Sequence, residues 1–429
     1  MCKALLLALV FLAVCGVRSA APSPATAQQA ITVLSEEPRN EFPAGVTFTI
    51  SFNAPAEVKE ARLRYHLAPD GTGASGVAEC TSAAAVSCSF TLTSGRGIVI
   101  IPGAEVTYHW ELTDSAGNKL STADSKYVHE DTRFTFKTLQ RDSITLYYHA
   151  GGESAAQAVL DAAAETIDRV SRLEKTEVTF PLKVFLYATA EEMQPAIAPG
   201  GPGRGVQVLG EVVYSDTAMV SADVATLDIT RHEVAHIVTR QATKGPFDVP
   251  AWLNEGISVF SQSRPLEGHD SALQSAIRGD RVLSMRELSS SASGGVGATV
   301  GLYYGQAGSI VKFLVETYGE DKFALLLKTF KDGSEVGKAF QAVYGFDQYG
   351  LENEWRTSVG LEPRAIVTIA PTATAEPRTA APAATSTGAA SSRDSGDDSS
   401  TTVIAIIVAL IVLVVIAAGA ALMLVRRRM

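Results

Sequence analysis

The feature that constrains this chain most is the unbroken apolar stretch from Val403 to Val425. As a helix it would reach roughly 34 Å, enough to cross a hydrocarbon core of about 30 Å. The expectation is a transmembrane helix over 402–425. Arg426, Arg427 and Arg428 follow at once, whereas Asp394, Asp397 and Asp398 precede it. By the positive-inside rule, the tail at 426–429 is cytoplasmic and everything before the span lies outside. At the other end Lys3 precedes an apolar run from Ala4 to Val14, with small residues at Ser19 to Ala21 and Ala25 to Ala27. That arrangement reads as a signal peptide over 1–27. The expected localisation is therefore the cell membrane, single-pass, with an N-terminal extracytoplasmic ectodomain.

With the signal removed, Cys80 and Cys88 are the two cysteines left. In an exported chain such a close pair is expected to form a small structural disulfide loop, contributing about 2–3 kcal/mol by chain entropy. The formal charge of −10 argues against a nucleic-acid partner, because phosphate binding needs a basic face.

Between the ends, the patterning changes twice. Residues 28–140 show short alternating runs, among them Val46 to Phe52, Ala61 to His66, Ser89 to Leu92, Ile98 to Ile101 and Val106 to Leu112. Turn signals separate them, which predicts a β-sandwich of immunoglobulin-like or fibronectin-like outline. Residues 141–362 begin with strand-like segments at Ile144 to Tyr148, Val184 to Tyr187, Val206 to Tyr214 and Thr217 to Ser221. A helical run then extends from Leu227 to Arg240, and beyond Pro250 the periodicity is helical throughout. This predicts an α+β lobe followed by a helical C-terminal lobe. The glycine-rich segment Pro199 to Gly205 lacks a phosphate-loop lysine, so it reads as a rim of a cleft. Residues 363–401 turn to Ala, Thr, Ser and Pro without apolar periodicity, the signature of a flexible stalk.

The chemistry lies in Arg231-His232-Glu233-Val234-Ala235-His236. Residues four apart on a helix sit about 40° from each other around the axis, so both imidazoles can reach one metal ion. Nineteen positions after His236, the segment Trp252-Leu253-Asn254-Glu255-Gly256 supplies a carboxylate. Two imidazoles and one carboxylate leave a fourth position open for water, as a hydrolytic Zn2+ site requires. A closed structural site would more often include cysteine, and none lies near. The expected metal ligands are His232, His236 and Glu255.

His-Glu-x-x-His, eighteen residues, then glutamate within Trp-Leu-Asn-Glu-Gly resembles the gluzincin metallopeptidases, in particular peptidase MA-like domains and aminopeptidase N-like enzymes. The longer metzincin motif does not fit, because Thr239 and Ala242 stand where it needs glycine and histidine. The resemblance implies a zinc metallopeptidase hydrolysing peptide bonds of a peptide or protein substrate by zinc-activated water. It implies Glu233 as general base and Tyr304, in Tyr303-Tyr304-Gly305-Gln306-Ala307, as the catalytic oxyanion donor. Two departures stand beside it. The Gly-Ala-Met-Glu-Asn signature for a substrate's free amine is absent upstream of His232. Val259 occupies the place of the aspartate that follows the glutamate ligand in thermolysin-like enzymes. The alternative is a cell-surface binding or adhesion protein with a catalytically idle metallopeptidase-like fold. Substrate, oligomeric state and signal cleavage position are open at this level.

Overall fold

The computed structural model describes residues 30–365, except Asp70, Thr72 and the segments 82–84, 95–99, 198–209, 223–224, 265–266 and 291–297. The signal, transmembrane and cytoplasmic segments expected from the sequence, and the stalk beyond residue 365, lie outside the described residues. So does the glycine-rich segment, which falls within 198–209. Arg364, at the expected start of the stalk, is instead tied to the helical lobe through Glu352 and the carbonyl of Val282. No helix among the described residues is long and apolar enough to cross a membrane. All described residues belong to one compact unit.

Alternation of apolar and polar residues dictates the first part. Among the described residues, nine strands form two antiparallel sheets: β1 (Thr32–Asn40), β2 (Gly45–Asn53), β3 (Val58–Ala68), β4 (Ala74–Val77), β5 (Glu79–Thr81), β6 (Val86–Thr93), β7 (Glu105–Asp114), β8 (Lys119–Ser121) and β9 (Ser125–Val128). One sheet runs β1-β2-β6-β5 and the other β4-β3-β7-β8, with β9 also paired to β7. Phe48, Ile50 and Phe52 from one sheet and Leu63, Trp110 and Leu112 from the other fill the space between, all essentially without solvent contact. Alternate residues of each strand point inward because the strand repeat is two. Cys80 and Cys88 stand directly opposite across β5 and β6 and are joined as a disulfide.

Of the strand expected at Ile98 to Ile101, the first two residues lie outside the described residues and the last two are corrected. Ile100 and Ile101 are buried but not in a strand. The amide of Ile100 donates to Ser94 Oγ, and Ala104 N–H closes a turn onto Ile101, so the backbone is satisfied by a side chain and a turn in place of a ladder.

The second part is a five-stranded mixed sheet of β10 (Lys137–Arg141), β11 (Ile144–Tyr148), β12 (Leu182–Tyr187), β13 (Gly210–Tyr214) and β14 (Thr217–Ser221), in the order β10-β11-β12-β14-β13. The three middle strands are parallel and the two outer ones antiparallel to their neighbours. Helix α1 (Gly152–Glu174) makes the crossover from β11 to β12, and the short α2 (Ala190–Ile197) follows β12. Strand periodicity now serves two cores at once. Ile144, Leu146, Val184, Leu186, Ala218 and Val220 point to the helices. Phe185, Tyr187 and Met219 point the other way and join the core of the β-sandwich. A sheet covered on both faces needs strands apolar on both sides, which is why β12 and β14 read as nearly continuous apolar runs.

The junction is also polar. Lys183 Nζ donates to the carbonyl of Gly103 at 2.9 Å, and Arg133 grips Asp131 at 2.6 Å while donating to the carbonyl of Glu192 at 2.7 Å. The sandwich and the mixed sheet therefore share one apolar core.

Beyond the sheet come α3 (Thr226–Thr243), α4 (Ala251–Phe260), α5 (Glu267–Arg278), α6 (Met285–Ser290), α7 (Ala298–Tyr318), α8 (Glu320–Lys331), α9 (Val336–Tyr344) and α10 (Gln348–Ser358). Their core gathers Trp252, Leu253, Ile257, Tyr303, Ile310, Leu314, Phe323, Phe340 and Trp355. The helical lobe expected after Pro250 is present. The short α2, with Pro195 inside it, and the six-residue α6 carry too few turns to show in periodicity.

Candidate metal centre

Helix α3 is buried over most of its circumference, resting on α1, β13 and β14 on one side and α4 and α8 on the other. Polar residues at His232, Glu233 and His236 inside such a helix are costly unless they meet partners. They meet Glu255, one turn into α4. Two contacts hold the end of α4, one to α3 and one to α1. The Asp228 carboxylate near the start of α3 accepts from Arg231 and from the amide of Ser263 just past α4, at 3.1 and 2.7 Å. Arg169 of α1 donates to the carbonyl of Ser261. On its other side α4 touches α7 closely: a Cβ on Gly256 would lie 2.6 Å from the carbonyl oxygen of Ala307. The glycine after Glu255 is what permits that approach.

His232 Nε2 and His236 Nε2 are 3.2 Å apart, and Glu255 Oε2 lies 3.2 Å from the first and 3.4 Å from the second. Among the described residues this trio is the cluster of His, Cys, Asp or Glu whose donor atoms converge for a metal ion. The separations are informative. Donors about 2.0–2.1 Å from a tetrahedral zinc ion are spaced by about 3.3 Å along the tetrahedron's edge. The three observed edges fall around that value, and the donor types, two imidazoles and a carboxylate, are those of an open hydrolytic zinc site. The residues present fit the ion.

Electrostatics agree with a shared site. Burial works to lower the pKa of His236, but the hydrogen bond and charge of Glu255 overcome it and hold the imidazole up at about 9. Burial pushes Glu255 upward, and the two imidazoles more than reverse this, keeping it well below the usual carboxylate range. Glu233 is raised, chiefly by burial, with the imidazoles opposing and the Glu255 charge adding to the rise. A carboxyl raised by burial beside such a cluster is suited to exchange a proton.

Glu233 is also held from below by the sheet. The amide of Val212 in the edge strand β13 hydrogen-bonds its carboxylate. A Cβ on Gly210 would stand 2.8 Å from Glu233 Cγ and 2.9 Å from Oε1, so only glycine leaves room there. Neither Gly210 nor Val212 was marked by the sequence as part of the site. A glycine at the start of an apolar strand was the available signal.

The Tyr304 ring lies edge-on to His232, 6.0 Å between centroids, whereas Tyr303 is turned into the helical core with 2% of its surface exposed. Burial and then the Glu255 and Glu233 charges raise the phenol of Tyr304 above the ordinary tyrosine range. It is therefore a neutral O–H donor. Tyr303 is raised by burial and Glu255 alone.

Asn254, beside the candidate ligand, favours the protonated form of His236 through its side chain, although His236 Nδ1 completes no hydrogen bond of good geometry. Val259 packs on α7, where a Cβ on Gly308 would be 2.5 Å from its Cγ1. The position is thus committed to helix packing, with no carboxylate to orient an imidazole. One residue was missed entirely: His269 on α5 stacks on Tyr304 with ring centroids 5.1 Å apart at 13°. Burial and the nearby His232 hold its pKa down at about 4.

No curated protein matches the chain. An M1 zinc metallopeptidase mutant from Deinococcus radiodurans is similar in structure at 13% identity and a TM-score of 0.38, over 79% of this chain and 97% of that one. A two-domain M1 zinc metallopeptidase mutant bound to L-arginine gives 12%, 0.37, 79% and 95%. A carbohydrate-binding module family 56 β-1,3-glucan binding domain gives 14% identity and a TM-score of 0.16, over 22% of this chain and 95% of that one. The Peptidase MA superfamily model matches residues 162–360, which hold His232, Glu233, His236, Glu255 and Tyr304. Residues 162–360 thus form a gluzincin-type, peptidase MA-like domain.

Proposed function

We propose that the chain is an extracytoplasmic zinc metallopeptidase, held at the membrane by the segment 402–425 and acting on a peptide or protein substrate. The observation that carries the reading is the convergence of His232 Nε2, His236 Nε2 and Glu255 Oε2 at mutual distances of 3.2–3.4 Å, beside the buried carboxyl of Glu233. Zinc held by those three side chains would supply a Lewis acid and an acidified water for hydrolysis.

The chain's own residues divide the remaining work. Glu233 is held by the Val212 amide and flanked by both imidazoles, so it can take a proton from the attacking water and return it to the leaving amine. Tyr304, neutral and close to His232, donates to the oxygen on which negative charge develops. The side chains of His232, His236 and Glu255 keep only 11–14% of their surface exposed, and the low local polarity strengthens each of these interactions.

The apolar run and basic tail at the C-terminus support the anchor, and the Lys3 to Ala27 pattern supports export. The β-sandwich shares a core with the sheet that carries the site, so it serves to brace that sheet.

The test is metal analysis of the purified chain together with cleavage of a mixed peptide library, using Glu233→Gln as control. One zinc per chain, specific products, and their loss in the variant are expected. Absence of zinc, or undiminished hydrolysis in the variant, would overturn the reading. Zinc without turnover would favour the idle-fold alternative.

A further inference from the structure

We propose that His269 is a positioning residue that fixes the Tyr304 ring over the His232 side of the metal centre, an inference that rests on the function proposed above.

The geometry is specific. His269 and Tyr304 are nearly parallel, 13° between planes and 5.1 Å between centroids. The same tyrosine meets His232 and Tyr303 edge-on, at 6.0 and 5.6 Å. Its ring is thus held on three sides, and only the His269 contact comes from an element that supplies nothing else to the site. The contact depends on unusually close helices. On α7, Gly301 and Gly305 are one turn apart and bracket the tyrosine pair. A Cβ on Gly305 would be 2.4 Å from the His269 carbonyl oxygen, and one on Gly301 would be 3.0 Å from that of Gly268.

Nδ1 does not hold His269 in place, because among the described residues this buried nitrogen has no hydrogen-bond partner. Burying that nitrogen carries a desolvation cost, and what is gained in return is the ring contact. A phenol donor helps only where its hydroxyl meets the developing charge, and displacement by about 1 Å can cost as much as 100-fold in rate. A stacked partner that limits rotation of the ring is the simplest way to keep it there.

The experiment uses the full chain and the best substrate from a quenched-fluorescent peptide library. His269→Ala is expected to lower kcat about 10-fold with KM changed less than about twofold, since the lost contact acts in the transition state. His269→Phe, which keeps a flat ring, should return kcat to within about threefold of the parent. In a Tyr304→Phe background, His269→Ala should add no further loss, because both changes act through one hydroxyl. Equal losses in both backgrounds, or a His269→Phe variant as impaired as His269→Ala, would overturn the proposal. If His269→Ala does not fold, His269→Gln takes its place in the same comparison. A second readout needs no turnover: the fluorine resonance of 3-fluorotyrosine at position 304 should move in His269→Ala and return in His269→Phe. If the parent cleaves nothing in the library, the peptidase reading fails, while an unmoved resonance would still sink the positioning role separately.

Discussion

Gly210 of the edge strand and Glu233 of the central helix are in such close contact that a Cβ on the glycine would stand 2.9 Å from the carboxylate oxygen Oε1. The sheet thus shapes the base directly. Gly210→Ala should push the carboxylate away from its position and lower kcat by roughly 10- to 100-fold, with zinc content unchanged. Steady-state kinetics with metal analysis checks this, and full activity in the variant would show that the contact is idle.

Glu233→Gln keeps the shape of the side chain and removes its proton-accepting role. The expected loss in kcat is about 100- to 10,000-fold, with zinc bound as before. Loss of zinc in this variant would mean that Glu233 is a ligand and not the base.

Metal binding should release a proton. His236 is held at about 9 by Glu255 against the effect of burial, so below that pH the metal-free site carries a proton that a ligating imidazole must lose. Calorimetric titration of zinc in two buffers of different ionisation enthalpy should differ by the heat of that proton. The same heat in both buffers would contradict it. Chelation should also lower Tm, by the loss of about 2.7 kcal/mol of linkage stabilisation for zinc at 100 times its Kd. His236→Ala should abolish both effects.

Away from the site, Glu174 at the end of α1 is buried, accepts one hydrogen bond from Thr239 at 2.7 Å, and leaves its Oε2 unpartnered. Burial raises its pKa to about 8, with the Thr239 bond opposing. A raised folded-state value means that the native chain holds the proton longer than the unfolded one. Stability from this group is complete below about 4.5 and is lost as pH rises through about 8. Glu174→Gln should flatten that slope and stabilise the chain at pH 9 by an amount on the order of a few kcal/mol. Thermal unfolding from pH 5 to 9 would read it, and an unchanged slope would rule it out.

Arg133 links the sandwich to the sheet. Its partner Asp131 has a side chain with no solvent exposure and also accepts from the Tyr187 hydroxyl at 3.2 Å. Arg133→Ala strands a buried carboxylate. Because Arg133 itself is 34% exposed, the cost should be about 2 kcal/mol, below that of a fully buried pair. Denaturant unfolding would measure it, and a neutral effect would mean that solvent already screens the pair.

By itself, the sequence determined what depends on local spacing. A four-residue separation on a helix puts His232 and His236 on one face whatever surrounds them, and Glu255 followed in a recognisable segment. Strand alternation and helical periodicity announced the sandwich, the α+β lobe and the helices, because burying one face imposes a repeat of 2 or 3.6. Tertiary structure alone decided what depends on contact between distant segments. It set the donor separations of 3.2–3.4 Å, with Asp228 of α3 and Arg169 of α1 holding the chain at the end of α4. It gave Val259 to helix packing, brought Gly210 and Val212 beneath Glu233, and stacked His269 on Tyr304. It also merged the sandwich and the mixed sheet through Phe185, Tyr187 and Met219. No periodicity encodes such pairings, since each arises where two surfaces, remote in the chain, meet at van der Waals distance.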